Sequence, residues 1–151
     1  MKRYQFEFSG KITERGFWIY VYKITYSNHN YYYVGRTGDS SSVNASSPFK
    51  RMLSHFGNNK KGNALTRNLN EAGIPIEDSN FKLYSFGPIY PEQNNWESHK
   101  AYRDLTASVE FLVAEGLKEK DYKVIGTHGM RKPIINEKTI ITTKEIIDAL
   151  N

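Results

Sequence analysis

Two neighbouring runs of aromatic and β-branched residues constrain the fold of this chain more than any other feature of its sequence. The runs cover Phe17–Tyr26 and Tyr31–Arg36, and the polar residues 27–30 separate them. Aromatic and β-branched residues favour strands, whereas Ser and Asn favour turns. The two runs therefore predict a β-hairpin.

The register of this hairpin decides which of its tyrosines lie together. Side chains alternate between the two faces of a strand, and residues opposite each other on paired strands share a face. Tyr22 is expected opposite Tyr33 if the turn has two residues, and opposite Gly35 if it is longer. In both registers Tyr20, Tyr22 and Tyr33 lie on one face, so that two or three phenols converge.

Helical spacing and capping residues predict the other elements of a single domain over residues 1–151, with its core at about 17–136. We expect an α/β (α+β) fold with a small, mostly antiparallel three-stranded sheet flanked by helices. In chain order the predicted elements are a strand over Tyr4–Phe8, the hairpin, a helix from Pro48 that ends at Gly57, a helix over Ala64–Ala72, a strand over Phe81–Phe86 that Gly87 and Pro88 break, a helix over Trp96–Lys118, a short apolar segment over Lys123–Ile125, and a final helix capped by Thr142 with Glu145 three residues later.

Composition excludes several classes of function. The chain has no cysteine, which rules out disulfides, thiolate zinc sites and a cysteine nucleophile. Its net charge of +5 favours polyanionic partners, chiefly nucleic acid. No apolar run approaches the ~18 residues that span a membrane, and the N-terminal residues lack the apolar stretch of a signal peptide. We therefore expect a soluble cytoplasmic protein that does not act in a membrane.

Two tripeptides on the hairpin carry a more specific indication. They are Tyr20-Val21-Tyr22 and Tyr33-Val34-Gly35, and eleven positions separate Tyr22 from Tyr33. This arrangement resembles the GIY-YIG nuclease family, whose two name-giving tripeptides lie on neighbouring strands at about this spacing. The first tripeptide departs from the family pattern because Tyr20 replaces its glycine. The alternative first tripeptide, residues 18–20, would lie two residues too far from the second.

The resemblance continues on the predicted helices. Arg51 and His55 follow the hairpin at positions i and i+4 of one helix, so both side chains project from the same side. The family also places one glutamate in a long helix, and Glu110 matches that position. Glu110 lies on the largely apolar face of its helix, whereas Glu115 lies on the polar face. A carboxylate on an apolar face requires a reason, because burying an unpaired charge is costly. We expect the helices that carry Arg51 and Glu110 to close over the face of the hairpin that carries the tyrosines.

Phosphodiester hydrolysis by a metal-dependent DNA endonuclease is the activity that the resemblance implies. Mg²⁺ (or Mn²⁺) prefers oxygen ligands and often uses one or two carboxylates, so Glu110 is the predicted metal ligand. Arg51 has a permanent charge and a planar fork that matches phosphate oxygens, and we assign it to the scissile phosphate. Tyr22 is the implied general base, with its pKa lowered by Arg51 or the metal. His55 could instead take the proton or hold Tyr22, and Tyr33 positions water or phosphate.

The remaining predicted contacts to DNA come from glycine, basic and amide residues around these positions. Lys60, Lys61 and Arg67 offer charge for the DNA backbone, because phosphate contacts supply much of the affinity for nucleic acid. The predicted substrate-binding residues are Gly35, Arg36, Lys60, Lys61, Arg67 and Asn136.

Two other classes of function remain compatible with the sequence. The replacement of the motif glycine by Tyr20 allows a catalytically inactive relative that only binds nucleic acid. The basic composition alone allows an unrelated protein-interaction module. The sequence also leaves open the recognition site, the choice between nicks and double-strand cuts, and whether the protein acts as a monomer or a homodimer.

Overall fold

The computed structural model describes residues 1–57, 63–130 and 132–150. A short 3-10 helix precedes the first strand. The elements are strands β1 (Gly16–Tyr26), β2 (His29–Arg36), β3 (Asn80–Pro91) and β4 (Lys123–Val124), and helices α1 (Pro48–Phe56), α2 (Ala64–Glu71), α3 (Trp96–Glu119) and α4 (Glu137–Ala149). Within these ranges no helix has both the length and the apolar character needed to cross a bilayer.

The four strands form one mixed sheet in the order β3-β1-β2-β4. β1 lies in the centre and is antiparallel to β2 and β3, whereas β4 runs parallel to β2. The prediction of a mostly antiparallel core is confirmed, but the prediction of three strands was wrong. The fourth strand has only two residues, Lys123 and Val124, and so short a segment carries no strand periodicity.

The hairpin has the tighter of the two predicted registers. Ser27 and Asn28 form the turn, with φ angles of 47° and 61°, and Tyr22 pairs with Tyr33. Positive φ at both central residues is typical of the type I′ turn, whose twist matches that of the strands. The predicted convergence of Tyr20, Tyr22 and Tyr33 on one face is therefore confirmed.

Helices cover both faces of the sheet, which differs from the expectation that α3 closes over the tyrosines. The face with Tyr20, Tyr22 and Tyr33, here called the tyrosine face, packs against α2. The opposite face, here called the α3 face, packs against α3 and α4. The tyrosine face buries Tyr20, Tyr22, Tyr33, Leu65 and Leu69, and the α3 face buries Ile19, Val21, Val34, Val109 and Val113.

Beyond its first residues, β2 has an open edge. β4 pairs with β2 only at Tyr31 and Tyr32, so the described ladder does not reach the segment 33–36. Helices α2 and α3, which lie on opposite faces of the sheet, both border this edge. Residues from the two faces can therefore meet at the edge of β2 without crossing the sheet.

The predicted N-terminal strand was wrong. Residues 1–9 form no strand, although Tyr4, Phe6 and Phe8 alternate with polar residues. Alternation favours a strand only where a neighbouring strand can pair with it. Phe8 instead stacks on Phe49 of α1, with the ring centroids 4.8 Å apart.

The third strand is longer than predicted. Gly87 and Pro88 do not end β3, which continues to Pro91 beside β1. The pairing register shifts between Phe17 and Ile19, which is an irregularity of the kind that lets a strand accommodate glycine and proline.

The last helix also begins earlier than predicted. Asn136, not Thr142, is its N-cap, and the Asn136 side chain accepts a hydrogen bond of 2.9 Å from the Thr139 amide. The Thr139 hydroxyl in turn accepts a hydrogen bond of 2.9 Å from the Asn136 amide. Asparagine is a stronger N-cap than threonine, and this reciprocal pair satisfies two backbone donors at once.

Candidate active site

Four aromatic rings form the centre of the site on the tyrosine face. Their ring centroids lie 5.7 Å apart for Tyr22 and His55, 5.8 Å for Tyr20 and His55, 6.1 Å for Tyr33 and His55, and 6.5 Å for Tyr22 and Tyr33. The sequence-predicted residues Tyr22, Tyr33 and His55 are therefore brought together. The fourth ring is that of Tyr20, where the GIY-YIG pattern has glycine.

Helix α1 delivers His55 to this cluster. Ser47 caps the helix by accepting from the Lys50 amide, and Pro48 occupies its first turn. His55 is only 4% exposed, and its Nδ1 lies 3.4 Å from the Tyr22 hydroxyl, at a long hydrogen-bond distance. Burial and the nearby charge of Arg51 lower the pKa of His55 to about 4. At neutral pH the ring is uncharged and can accept a hydrogen bond from the Tyr22 hydroxyl.

The tyrosines have pKa values above their ordinary value. Burial raises the pKa of Tyr22, with a further contribution from Tyr33, and burial raises the pKa of Tyr33 to about 12. The expectation that Arg51 lowers the pKa of Tyr22 was wrong, because burial of the phenol raises this pKa and Arg51 is not among the groups that shift it. Both phenols therefore carry their protons at neutral pH and act as hydrogen-bond donors.

Arg51 forms an ion pair with Asp39, a residue that sequence reasoning missed. Asp39 lies in the loop after β2, whose start is fixed by Thr37. The Thr37 hydroxyl accepts a hydrogen bond of 2.8 Å from the Trp18 amide and donates one of 2.6 Å to the Gly16 carbonyl. Asp39 is the only acidic residue of the polar segment 37–47, and this isolation was the one signal that could have identified it.

Glu110 reaches the same region from α3 and forms an ion pair with Arg36. Arg36 lies two residues after Val34, so alternation places it on the α3 face, beside Glu110. The Glu110 side chain is 16% exposed, and that of Arg36 is 26% exposed. Burial raises the pKa of Glu110, and Arg36 opposes this shift. Arg36 was predicted as a substrate contact, but no sequence pattern indicated its pairing with Glu110.

A cleft of about 410 Å³ opens at the edge of β2; Tyr22, Arg51 and His55 do not line it. Its walls come from β2, the following loop, α2, α3 and the segment 127–130. The charged, phenolic and imidazole residues that line it are Tyr33, Arg36, Asp39, Arg67, Glu71, Glu110 and His128. Arg67, which was predicted from the sequence to contact the DNA backbone, lines the cleft.

His128 closes the open edge of β2 at one point. Its Nε2 donates a hydrogen bond of 2.7 Å to the Val34 carbonyl. A carbonyl can only accept, so Nε2 carries the proton of this bond, and within the described ranges the buried Nδ1 has no partner. His128 showed no metal-ligand spacing in the sequence, which is why its place in the cleft was missed.

The cleft residues fit a hydrated divalent cation. Among the described residues, the Glu110 carboxylate has Arg36 as its one hydrogen-bond partner, and this bond uses one of its two oxygens. Mg²⁺ usually keeps several waters and uses one or two protein carboxylates. The cleft lining contains Glu110 and Asp39, each of which is paired with an arginine. Within 1–57, 63–130 and 132–150, no cluster of three or more acidic, histidine or cysteine residues offers a fuller metal site.

The other predicted substrate contacts are dispersed. Gly35 lies opposite Tyr20, whose ring occupies the space above it. Asn136 caps α4 and is not a lining residue of the cleft. Lys60 and Lys61 lie outside the described residues.

Comparison with known proteins adds no relative to this geometry. No protein-family model matches the chain, and no curated protein or solved structure is significantly similar to it.

Proposed function

We propose that this protein is a metal-dependent DNA endonuclease of the GIY-YIG kind. One observation supports the proposal: Tyr33 of the hairpin and Glu110 of α3, which are distant in the sequence, line one cleft together with Asp39. Tyr22 and His55 do not line this cleft but pack beside Tyr33. Arg51 contacts it through Asp39, which is also a lining residue.

The charged residues suit the recognition of a phosphodiester. Arg51 and Arg36 carry permanent planar charges whose donors match phosphate oxygens. Glu110, supported by Asp39, would hold Mg²⁺ or Mn²⁺, which when bound stabilises negative charge on the phosphate and the leaving oxygen. DNA is the proposed substrate because the chain as a whole has a net charge of +5.

The proton acceptor is assigned to Tyr22 acting with His55. The Tyr22 phenol is protonated at neutral pH, so it cannot accept a proton from water until its own proton leaves. His55 is uncharged, and its Nδ1 lies 3.4 Å from the Tyr22 hydroxyl. We therefore assign Tyr22 as the base, whose pKa a bound cation would lower, and His55 as the group that accepts a hydrogen bond from the Tyr22 hydroxyl and orients it. Tyr33 orients water or phosphate from the neighbouring strand.

Substitution of Glu110 tests this proposal. Glu110→Gln keeps the size of the side chain and a hydrogen-bonding group but removes the charge that binds a cation. We expect it to lower Mg²⁺-dependent cleavage of plasmid DNA by at least about 100-fold, which corresponds to ~3 kcal/mol of lost transition-state stabilisation. DNA binding, measured by gel retardation in EDTA, should change little.

Glu115→Gln is the matched control, since Glu115 lies one and a half turns further along α3 and forms an ion pair with Lys118 outside the cleft. Cleavage by Glu110→Gln at a rate near that of Glu115→Gln would reject Glu110 as the metal ligand.

A second function is supported by the Arg36–Glu110 ion pair. Arg36 already neutralises the charge of Glu110. A protein in which this ion pair never opens would bind nucleic acid without cutting it. Salt-dependent retardation of DNA, with no cleavage in Mg²⁺ or Mn²⁺, would select this function over the nuclease.

A further inference from the structure

We propose that Arg36 is a substrate-positioning residue that exchanges partners. It holds Glu110 in the metal-free protein, and it transfers to a substrate phosphate when a divalent cation occupies Glu110. This inference rests on the proposed nuclease function. It adds a reciprocal coupling between cation binding and DNA binding, which a nuclease with a preformed metal site would not require.

The position of Arg36 makes the exchange possible. Arg36 is the last residue of β2, and both it and Glu110 line the cleft. Its guanidinium therefore already borders the space that a substrate would enter. A guanidinium has several N–H donors, and the Nε of Arg36 is buried without a partner among the described residues. The ion pair with Glu110 thus leaves part of its hydrogen-bonding capacity unused.

The charge of the cleft gives the exchange a driving force. The described lining residues include two cations, Arg36 and Arg67, and three acids, Asp39, Glu71 and Glu110. The formal charges of these five residues sum to −1, which favours a cation and disfavours a polyanion. A bound divalent cation would change this sum to +1. Each ligand therefore makes the cleft more favourable for the other.

The same carboxylate cannot fully serve both partners. A cation at Glu110 must compete with the Arg36 guanidinium, and a phosphate that engages Arg36 removes this competitor. Linkage then requires that DNA raise cation affinity by the same factor by which the cation raises DNA affinity. Coupling of this kind usually amounts to about 5- to 150-fold.

The first measurement is the binding of Mn²⁺ to DNA-free protein, followed by the loss of the free Mn²⁺ electron paramagnetic resonance signal. Arg36→Gln keeps a hydrogen-bond donor near Glu110 without the charge, and Arg36→Met removes both. We expect each variant to bind Mn²⁺ at least about fivefold more tightly than the wild type. Glu110→Gln should lose this binding.

Arg103→Gln is the matched control. The Arg103 side chain is 27% exposed and pairs with Asp104 at 3.1 Å, so it resembles Arg36 in exposure and pairing but lies outside the cleft lining. Its Mn²⁺ affinity should equal that of the wild type. Circular dichroism of each variant establishes that it is folded.

The second measurement uses the wild type, so it does not depend on any variant folding. Binding of an end-labelled 30-base-pair duplex is followed by fluorescence anisotropy in EDTA and in Ca²⁺, with gel analysis to verify that the duplex stays intact. We expect Ca²⁺ to raise the affinity for the duplex at least about fivefold, and we expect this gain to shrink in Arg36→Gln.

The outcomes separate this inference from the proposed function. If Glu110→Gln loses Mn²⁺ binding while both Arg36 variants bind it as the wild type does, the metal site stands and the exchange is refuted. Absence of any Ca²⁺ effect on duplex binding by the wild type also refutes the exchange. If Glu110→Gln binds Mn²⁺ as well as the wild type, the ion does not use Glu110 and the proposed function itself fails.

Discussion

At the residue scale, His55 shows how burial sets the chemistry of a side chain. The ring is 4% exposed and lies among Tyr20, Tyr22 and Tyr33. Its folded-state pKa of about 4 lies below the value of about 6.5 for an unfolded chain. Between these two values the unfolded chain binds more protons than the folded protein. The stability that neutral His55 contributes is therefore complete above pH 6.5 and is lost as the pH falls towards 4.

This shift predicts a pH-dependent difference between the wild type and His55→Phe, which keeps a ring at the same place. The free energy of unfolding of the wild type should fall by about 2 kcal/mol more than that of the variant between pH 7 and pH 5. Urea unfolding at several pH values measures the difference. His29→Gln, at an exposed position, is the control and should follow the wild type. Parallel curves for the wild type and His55→Phe would contradict the assigned protonation state.

At the scale of the elements, the β1–β2 pair accommodates the large side chain of Tyr20. Tyr20 pairs with Gly35, and its ring lies over the position that a Cβ of residue 35 would occupy. The absence of a side chain at Gly35 therefore provides the space for the Tyr20 ring.

Gly35→Ala should consequently overpack this pair. We expect it to lower the free energy of unfolding by about 1–3 kcal/mol, measured by urea denaturation. The cost should shrink in a Tyr20→Ala background, where the ring is gone. Gly10→Ala is the control, because a Cβ at Gly10 would meet no atom within 4 Å. Equal costs of Gly35→Ala in both backgrounds would show that Tyr20 is not the cause.

The start of α4 supplies a test that distinguishes a cap from a substrate contact. Asn136→Ala should lower the free energy of unfolding by about 1 kcal/mol, because the first turn loses its side-chain acceptor. Asn136→Asp should retain most of this stability. DNA binding and cleavage at a temperature where both variants are folded should equal the wild type. A selective loss of DNA affinity in Asn136→Ala would support the sequence-based assignment to the substrate.

Periodic segments of this chain could be predicted from the sequence, whereas pairings across loops could not. The hairpin and α1, α2 and α3 carry long patterns of alternating or helical apolar residues, and their existence followed from those patterns. The Arg36–Glu110 and Arg51–Asp39 pairs join residues 74 and 12 positions apart. They depend on the path of the chain around the edge of β2, which no local pattern encodes.

At the scale of the whole molecule, the open edge of β2 brings the two faces of the sheet to one cleft. Tyr33 lies on the tyrosine face and Glu110 approaches from the α3 face, yet both line the same space. The net charge of the described cleft residues is negative, although the chain carries +5. Under the proposed function, the attraction of DNA would therefore come from the wider surface, and a bound cation would make the cleft more favourable for a phosphate.

Incubation of purified protein with supercoiled plasmid, in Mg²⁺ and in a parallel sample with EDTA, tests this account most directly. We predict nicked or linear plasmid in Mg²⁺, intact plasmid in EDTA, and loss of cleavage in Tyr22→Phe with DNA retardation preserved. Intact plasmid with wild-type protein in both Mg²⁺ and Mn²⁺, or cleavage that continues unchanged in EDTA, would contradict it.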